Sequence, residues 1–196
     1  MILIIEPRDR DRYQTELKSY FRLRKRIFAD SLGWNVKTYG DEERDELDEA
    51  PCTYVLNADE NGNVVAGSRL IPTTQPTFLM TYFPELVPPG MDFCSPTIWE
   101  SSKYCTANDS DSSRIRSGQK KSAVDHIAGG VEYGVANGIT HYIAVVEERL
   151  YRLTRMFYPK ADILGQQEIN GEPVVCAIWP LEEDCLRITR YVSSIT

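Results

Sequence analysis

No apolar run in this chain approaches the roughly 20 residues that a membrane helix needs. The opening stretch MILIIEP is too short, and lacks the basic start, for a secretion signal. A soluble, cytoplasmic protein with no membrane association is therefore expected. Cysteine and histidine are sparse: Cys52, Cys94, Cys105, Cys176 and Cys185 are scattered without a C-x-x-C, and His126 and His141 are the only histidines. Neither a disulfide framework nor a zinc site is indicated, and no metal is expected. Positive charge is also in deficit. A net charge of −7 argues against general nucleic-acid affinity, which needs a basic surface. There is no internal repeat, phosphate loop, G-x-G-x-x-G or G-x-S-x-G. Cys105 with Asp125 and His126 has the residue types of a thiol site, but nothing in the sequence brings them together, and free cysteine is ordinarily buried and inert.

What is present suits one domain over residues 1–196, with 42% hydrophobic and 10% aromatic content. Met1 to Glu6 reads as a strand closed by Pro7, followed by a helix capped by Asp9 or Asp11. Within that helix Leu17, Phe21, Arg24 and Phe28 share one face, so an arginine lies in an apolar stripe. Gly33-Trp34 ends the pattern. An acidic segment follows, Asp41, Glu42, Glu43, Asp45, Glu46 and Asp48, which is either a solvated loop or the source of partners for a buried guanidinium.

Cys52 to Ala58 and Val64 to Pro72 form a hairpin around Asn61-Gly62. Alternation puts Arg69 with Val65, Gly67 and Ile71, facing inward unless the strand is an exposed edge. Pro72 to Pro96 reads as an irregular crossing with a helical turn near Thr77 to Phe83. Thr97 to Cys105 is a further strand, in which Glu100 and Lys103 fall on opposite faces unless a bulge separates them. Ala107 to Gln119 is a polar loop, then a helix runs from about Lys120 to Asn137, stopped by Gly138. A strand from His141 to Val146, a helix from Glu148 to Met156, and two strands around Asn170-Gly171 complete the pattern. The tail reads as polar and uninformative. The class is α/β, a mixed sheet flanked by helices.

Arg24, Arg69, Asp45, Asp48 and Glu100, with Phe28 and Trp34 interleaved, suit a zwitterionic ligand. Arginine holds a carboxylate, aspartate an ammonium, and an aromatic face a sulfonium. In this order and spacing the residues resemble the acyl-homoserine lactone synthases of the LuxI type. The match is carried by RKRIFADSLGW, DELD, GSRLIPTTQPTFL and WESSKY, and it extends through most of the chain. The resemblance implies a GNAT-like acyltransferase fold with a mixed, mostly antiparallel central sheet. It also implies S-adenosylmethionine and an acyl thioester as substrates, no separate cofactor, and a quorum-sensing signal as product. Lys103 departs from the family's usual Glu-x-x-Arg, keeping the charge and losing the fork.

On this resemblance Arg24, Phe28, Trp34, Asp45, Asp48, Arg69 and Lys103 bind S-adenosylmethionine. Glu100 takes the proton from its ammonium, and backbone N–H groups near Tyr104 and Cys105 stabilise the oxyanion. The methionyl carboxylate then attacks its own γ-carbon, expelling methylthioadenosine and closing the lactone. Phe83, Trp99, Tyr142 and Val145 are acyl-pocket candidates, and each also suits simple core. For the donor, GQQEINGEPVV resembles the branch that uses acyl-coenzyme A. Arg114, Arg116, Lys120 and Lys121 suit its phosphates, while Arg149, Arg152, Arg155 and Lys160 suit an acidic acyl carrier protein. The competing expectations are a GNAT N-acyltransferase for another amine and a non-catalytic ligand-binding relative.

Overall fold

The computed structural model describes residues 1–107, 120–155, 157–169 and 171–194. They divide into two compact units, one from Met1–Leu70, Lys103–Gly130 and Arg190–Thr196, the other from Ile71–Ser102 and Val131–Thr189. Seven strands take the order β1-β4-β5-β6-β7-β9-β8: β1 (Ile2–Ile5), β4 (Thr53–Ala58), β5 (Val64–Pro72), β6 (Ile98–Thr106), β7 (His141–Glu147), β8 (Asp162–Ile169) and β9 (Glu172–Pro180). Two more, β2 (Thr38–Tyr39) and β3 (Glu42–Glu43), form a separate small hairpin. The mixed, mostly antiparallel sheet is as expected: β6 runs parallel to β7, and β1–β4, β4–β5, β7–β9 and β8–β9 pair antiparallel.

In the first unit, the β4–β5 hairpin turns where the Asp59 carboxylate accepts the N–H groups of Asn61 and Asn63 and Gly62 adopts φ +81°. Helix α1 (Gln14–Arg24) buries Leu17, Tyr20, Phe21 and Arg24, a stripe at i, i+3, i+4 and i+7. Its entry corrects the sequence expectation, since neither Asp9 nor Asp11 caps it. Pro7–Tyr13 forms a 3₁₀ segment instead, with Pro7 in its first turn, where a fixed φ and a missing N–H carry no penalty. Arg10 of that segment donates to the carbonyls of Asp48, Ala50 and Cys52. After Arg24 the coil widens into π-type turns over Lys25–Ser31.

In the second unit, the proline-rich crossing holds the short helix α2 (Phe78–Tyr82) and a 3₁₀ turn at Pro84–Leu86. Helix α4 spans Glu148–Thr154. Gly165 of β8 lies so close to that turn that a Cβ would stand 2.2 Å from the Leu86 carbonyl oxygen. Two helices have residues in both units. α3 (Lys121–Ala136) ends before Gly138, at φ +69°, and α5 is Glu183–Ser194. The tail read as uninformative is thus helical. Glu183 and Asp184 start it favourably for the helix dipole, and Cys185 and Thr189 bury one face at i, i+4.

Candidate active site

Arg24 is fully buried, which demands partners. The acidic segment supplies them. Gly40 at φ +63° turns the β2–β3 hairpin so that Glu43 is buried, and a reciprocal cap holds Asp45 and Asp48: Leu47 N–H donates to Asp45, and Asp45 N–H to Asp48. Asp41 and Glu46 stay exposed. The solvated-loop alternative therefore holds for part of the run and fails for the three residues that matter. Arg24 Nε donates to Glu43 at 2.5 Å and Nη1 to Asp48 at 2.8 Å. Its Nη2 is buried without a hydrogen-bond partner, 3.8 Å from Asp45.

Arg69, also fully buried, grips Asp45 with both Nη atoms at 2.5 and 3.2 Å and stands 2.8 Å from Asp48. The inward reading of β5 is the correct one. Lys103 Nζ meets Glu43 at 3.0 Å and Asp45 at 3.6 Å, and lies 5.3 Å from the centre of the Phe28 ring. Phe28 packs on Trp34 at 5.3 Å. Three cations thus face three carboxylates beside an aromatic pair. Burial alone would raise the Asp48 carboxyl, but the guanidiniums of Arg24 and Arg69 outweigh it and hold that group well below the usual carboxylate range. Asp48 is therefore held as a carboxylate at neutral pH.

Sequence reasoning missed two members. Glu43 was seen only as part of a charge run. Tyr54, whose hydroxyl donates to Asp48 at 2.9 Å, was not singled out, although it lies directly opposite Arg69 in the hairpin register. That register was the available signal.

The expected irregularity of β6 is present as a left-handed residue: Lys103 has φ +58°, uncommon for a side chain other than glycine's. Tyr104 is half-buried with its ring 5.3 Å from that of His126, and Cys105 is buried, its thiol pushed up to about 12 by desolvation. A thiol so held is no nucleophile at neutral pH. His126 donates to or accepts from Ser68 at 3.1 Å, and burial lowers its pKa to about 4.

In the second unit Glu100 is buried and accepts the N–H of Phe78 at 2.7 Å and of Leu79 at 2.6 Å, one on each carboxylate oxygen. It thereby fixes the first turn of α2. Around Leu79 lies an apolar group of Leu86, Phe93, Ile143 and Cys176, with Phe83 and Val145 packed against it. The four acyl-pocket candidates therefore separate. Trp99 and Tyr142 approach α3, at Tyr133 and Gly134 respectively, because they alternate with Glu100 and Ile143 on their strands.

Of the donor-docking residues, Arg149 pairs with Glu147 and Arg152 with Glu148, while Lys160 pairs with Glu182 and Lys121 with Asp125. Lys120 donates to the Ala107 carbonyl, and Arg155 is exposed. Arg114 and Arg116 lie outside the described residues. Among the described residues, no helix is long and apolar enough to cross a membrane, and no cluster of metal-ligating side chains occurs.

A family model described as autoinducer synthase matches residues 9–185. The chain is 32% identical over 199 residues to the "Probable acyl-homoserine-lactone synthase" of Sinorhizobium fredii, covering 100% of this chain and 95% of that one. It superposes with a TM-score of 0.87 on BjaI, a coenzyme A-dependent acyl-homoserine lactone synthase solved with S-adenosylmethionine and isopentyl-coenzyme A. Identity there is 25%, with 100% of this chain and 90% of that chain covered. An acyl-CoA N-acyltransferase from Pseudomonas aeruginosa shares 9% identity at a TM-score of 0.56, over 91% and 99% of the two chains; that likeness shows the GNAT-like fold alone.

Proposed function

Because the chain belongs to the autoinducer synthase family, we propose that it is an acyltransferase that joins an acyl group to the amine of S-adenosylmethionine and releases an acyl-homoserine lactone and methylthioadenosine. The observation that carries this reading is the wall of Arg24, Arg69 and Lys103 against Glu43, Asp45 and Asp48, with Phe28 and Trp34 beside it. S-adenosylmethionine carries a carboxylate, an ammonium and a sulfonium, and the wall offers cations, anions and aromatic faces to match. The unpartnered Nη2 of Arg24 is a buried donor suited to an anion.

Side chains held by these ion pairs lower the cost of holding the methionyl chain folded for the second attack, in which its carboxylate displaces methylthioadenosine from the γ-carbon. Glu100 is the candidate acceptor for the ammonium proton. Each of its oxygens accepts one backbone N–H, which fixes the carboxylate in place for the amine or for a bridging water. The apolar group around Leu79, Ile143 and Cys176 is the candidate seat of the acyl chain. Acyl-coenzyme A is the proposed donor, as in BjaI. The alternative docking surface for an acyl carrier protein is weakened by the carboxylates that already pair with Arg149, Arg152 and Lys160.

The test is methylthioadenosine release from S-adenosylmethionine with acyl-coenzyme A and acyl carrier protein thioesters offered in parallel. Thioester-dependent release with a lactone of matching mass is expected. Thiol release without methylthioadenosine would instead mark plain N-acylation of another kind.

A further inference from the structure

Lys103 holds its left-handed conformation inside a strand, and the side chain that meets its carbonyl is Tyr20. The Tyr20 hydroxyl, fully buried on α1, donates to the Lys103 carbonyl oxygen at 2.8 Å. The ring reaches that point over Gly67 of β5, where a Cβ would stand 2.6 Å from Tyr20 Cδ2 and Cε2. No other residue at position 67 leaves this path open without a shift. On its other sides the ring meets Phe21 and Tyr54, each at 5.8 Å between centroids.

The Lys103 carbonyl and the Tyr104 N–H belong to one planar peptide, so a bond that fixes the first fixes the direction of the second. A donor on the carbonyl also polarises that peptide and makes its N–H a stronger donor. We propose that Tyr20 is a positioning residue, which orients and polarises the Lys103–Tyr104 peptide so that the Tyr104 N–H serves as an oxyanion donor in acyl transfer. This rests on the synthase reading above. Burial, offset in part by the nearby Arg24, raises the Tyr20 pKa well above that of a free tyrosine, so the hydroxyl keeps its proton and remains a donor at all physiological pH.

The test compares Tyr20→Phe with Tyr151→Phe. The second removes an equivalent buried bond, from the Tyr151 hydroxyl to the Ala161 carbonyl at 2.9 Å, outside the groups assigned to the reaction. Turnover is read as methylthioadenosine release with hexanoyl-, isovaleryl- and benzoyl-coenzyme A, and backbone amide exchange is read at Tyr104. For Tyr20→Phe, kcat should fall about tenfold, a fraction of what deleting an oxyanion donor outright removes. KM for S-adenosylmethionine should stay unchanged, and exchange at Tyr104 should quicken. Tyr151→Phe should keep kcat and the Tyr104 exchange rate. Unchanged kcat and exchange in Tyr20→Phe, or an equal loss of kcat in both variants, would overturn the proposal. If the native protein releases no methylthioadenosine, the synthase reading falls, and the Tyr104 exchange rate alone decides whether Tyr20 holds this peptide.

Discussion

The two groups assigned to the reaction are built on opposite principles. The wall around Arg24 and Arg69 is polar and buried, and its shape is dictated by charge: remove one member and a partner loses a counter-charge in a low dielectric. The group around Leu79 and Ile143 is apolar and shaped by volume, and the Leu79 N–H donates to Glu100 beside it. A charged frame accepts one pattern of ligand charge and rejects others. An apolar one tolerates a methylene more or less for about 1 kcal/mol. The first suits a ligand with a fixed pattern of charge, the second a ligand of variable length.

The comparison breaks most violently at the wall. Arg24→Met keeps the side-chain length and strips Glu43 and Asp48 of their shared cation, at a cost of about 3–5 kcal/mol in urea unfolding. Turnover should be lost with it. A cost under about 1 kcal/mol would mean that the carboxylates find other partners and that the wall is not a closed set.

Gly165→Ala probes the apolar side. The new Cβ meets backbone rather than a flexible side chain, so β8 or the Pro84–Leu86 turn must move, at about 1–3 kcal/mol. Acyl preference should shift toward shorter chains while KM for S-adenosylmethionine holds.

A pH-dependent effect concerns His126, whose pKa drops to about 4 on burial from an ordinary value near 6.5. The unfolded chain takes up a proton below that ordinary value and the folded chain does not until about pH 4. Stability is therefore full above the ordinary value and declines through this window, by about 3 kcal/mol at most. His126→Gln should flatten this part of the stability curve, as read by unfolding midpoints at pH 7 and pH 4.5. An identical slope in both proteins would assign the loss to carboxylates instead.

Where the sequence spoke clearly, it did so through periodicity. The spacing of Leu17, Phe21 and Arg24 placed an arginine in the core, and alternation in β5 did the same for Arg69. Odd spacing puts Glu100 and Lys103 on opposite faces of a regular strand, and the structure makes Lys103 left-handed. What stayed hidden depended on contacts between distant segments. Glu43 enters the wall only once the Gly40 turn has folded the acidic run back, and widening to π-type turns after Arg24 has no residue signature. Trp99 and Tyr142 face away from Glu100 and Ile143 because they alternate with them, a separation that size and apolar character, which group them with Phe83 and Val145, do not show. In the tail, the fully buried positions described in α5 are Cys185 and Thr189, neither strongly apolar, so the stretch reads as polar.

The division of labour is tested most directly by measuring both KM values in two mild variants, Phe28→Leu in the wall and Ile143→Val in the apolar group. Phe28→Leu should raise KM for S-adenosylmethionine and leave that for the acyl thioester alone. Ile143→Val should alter the ranking of acyl thioesters and leave S-adenosylmethionine alone. If either variant moves both constants together, the two groups do not serve separate substrates.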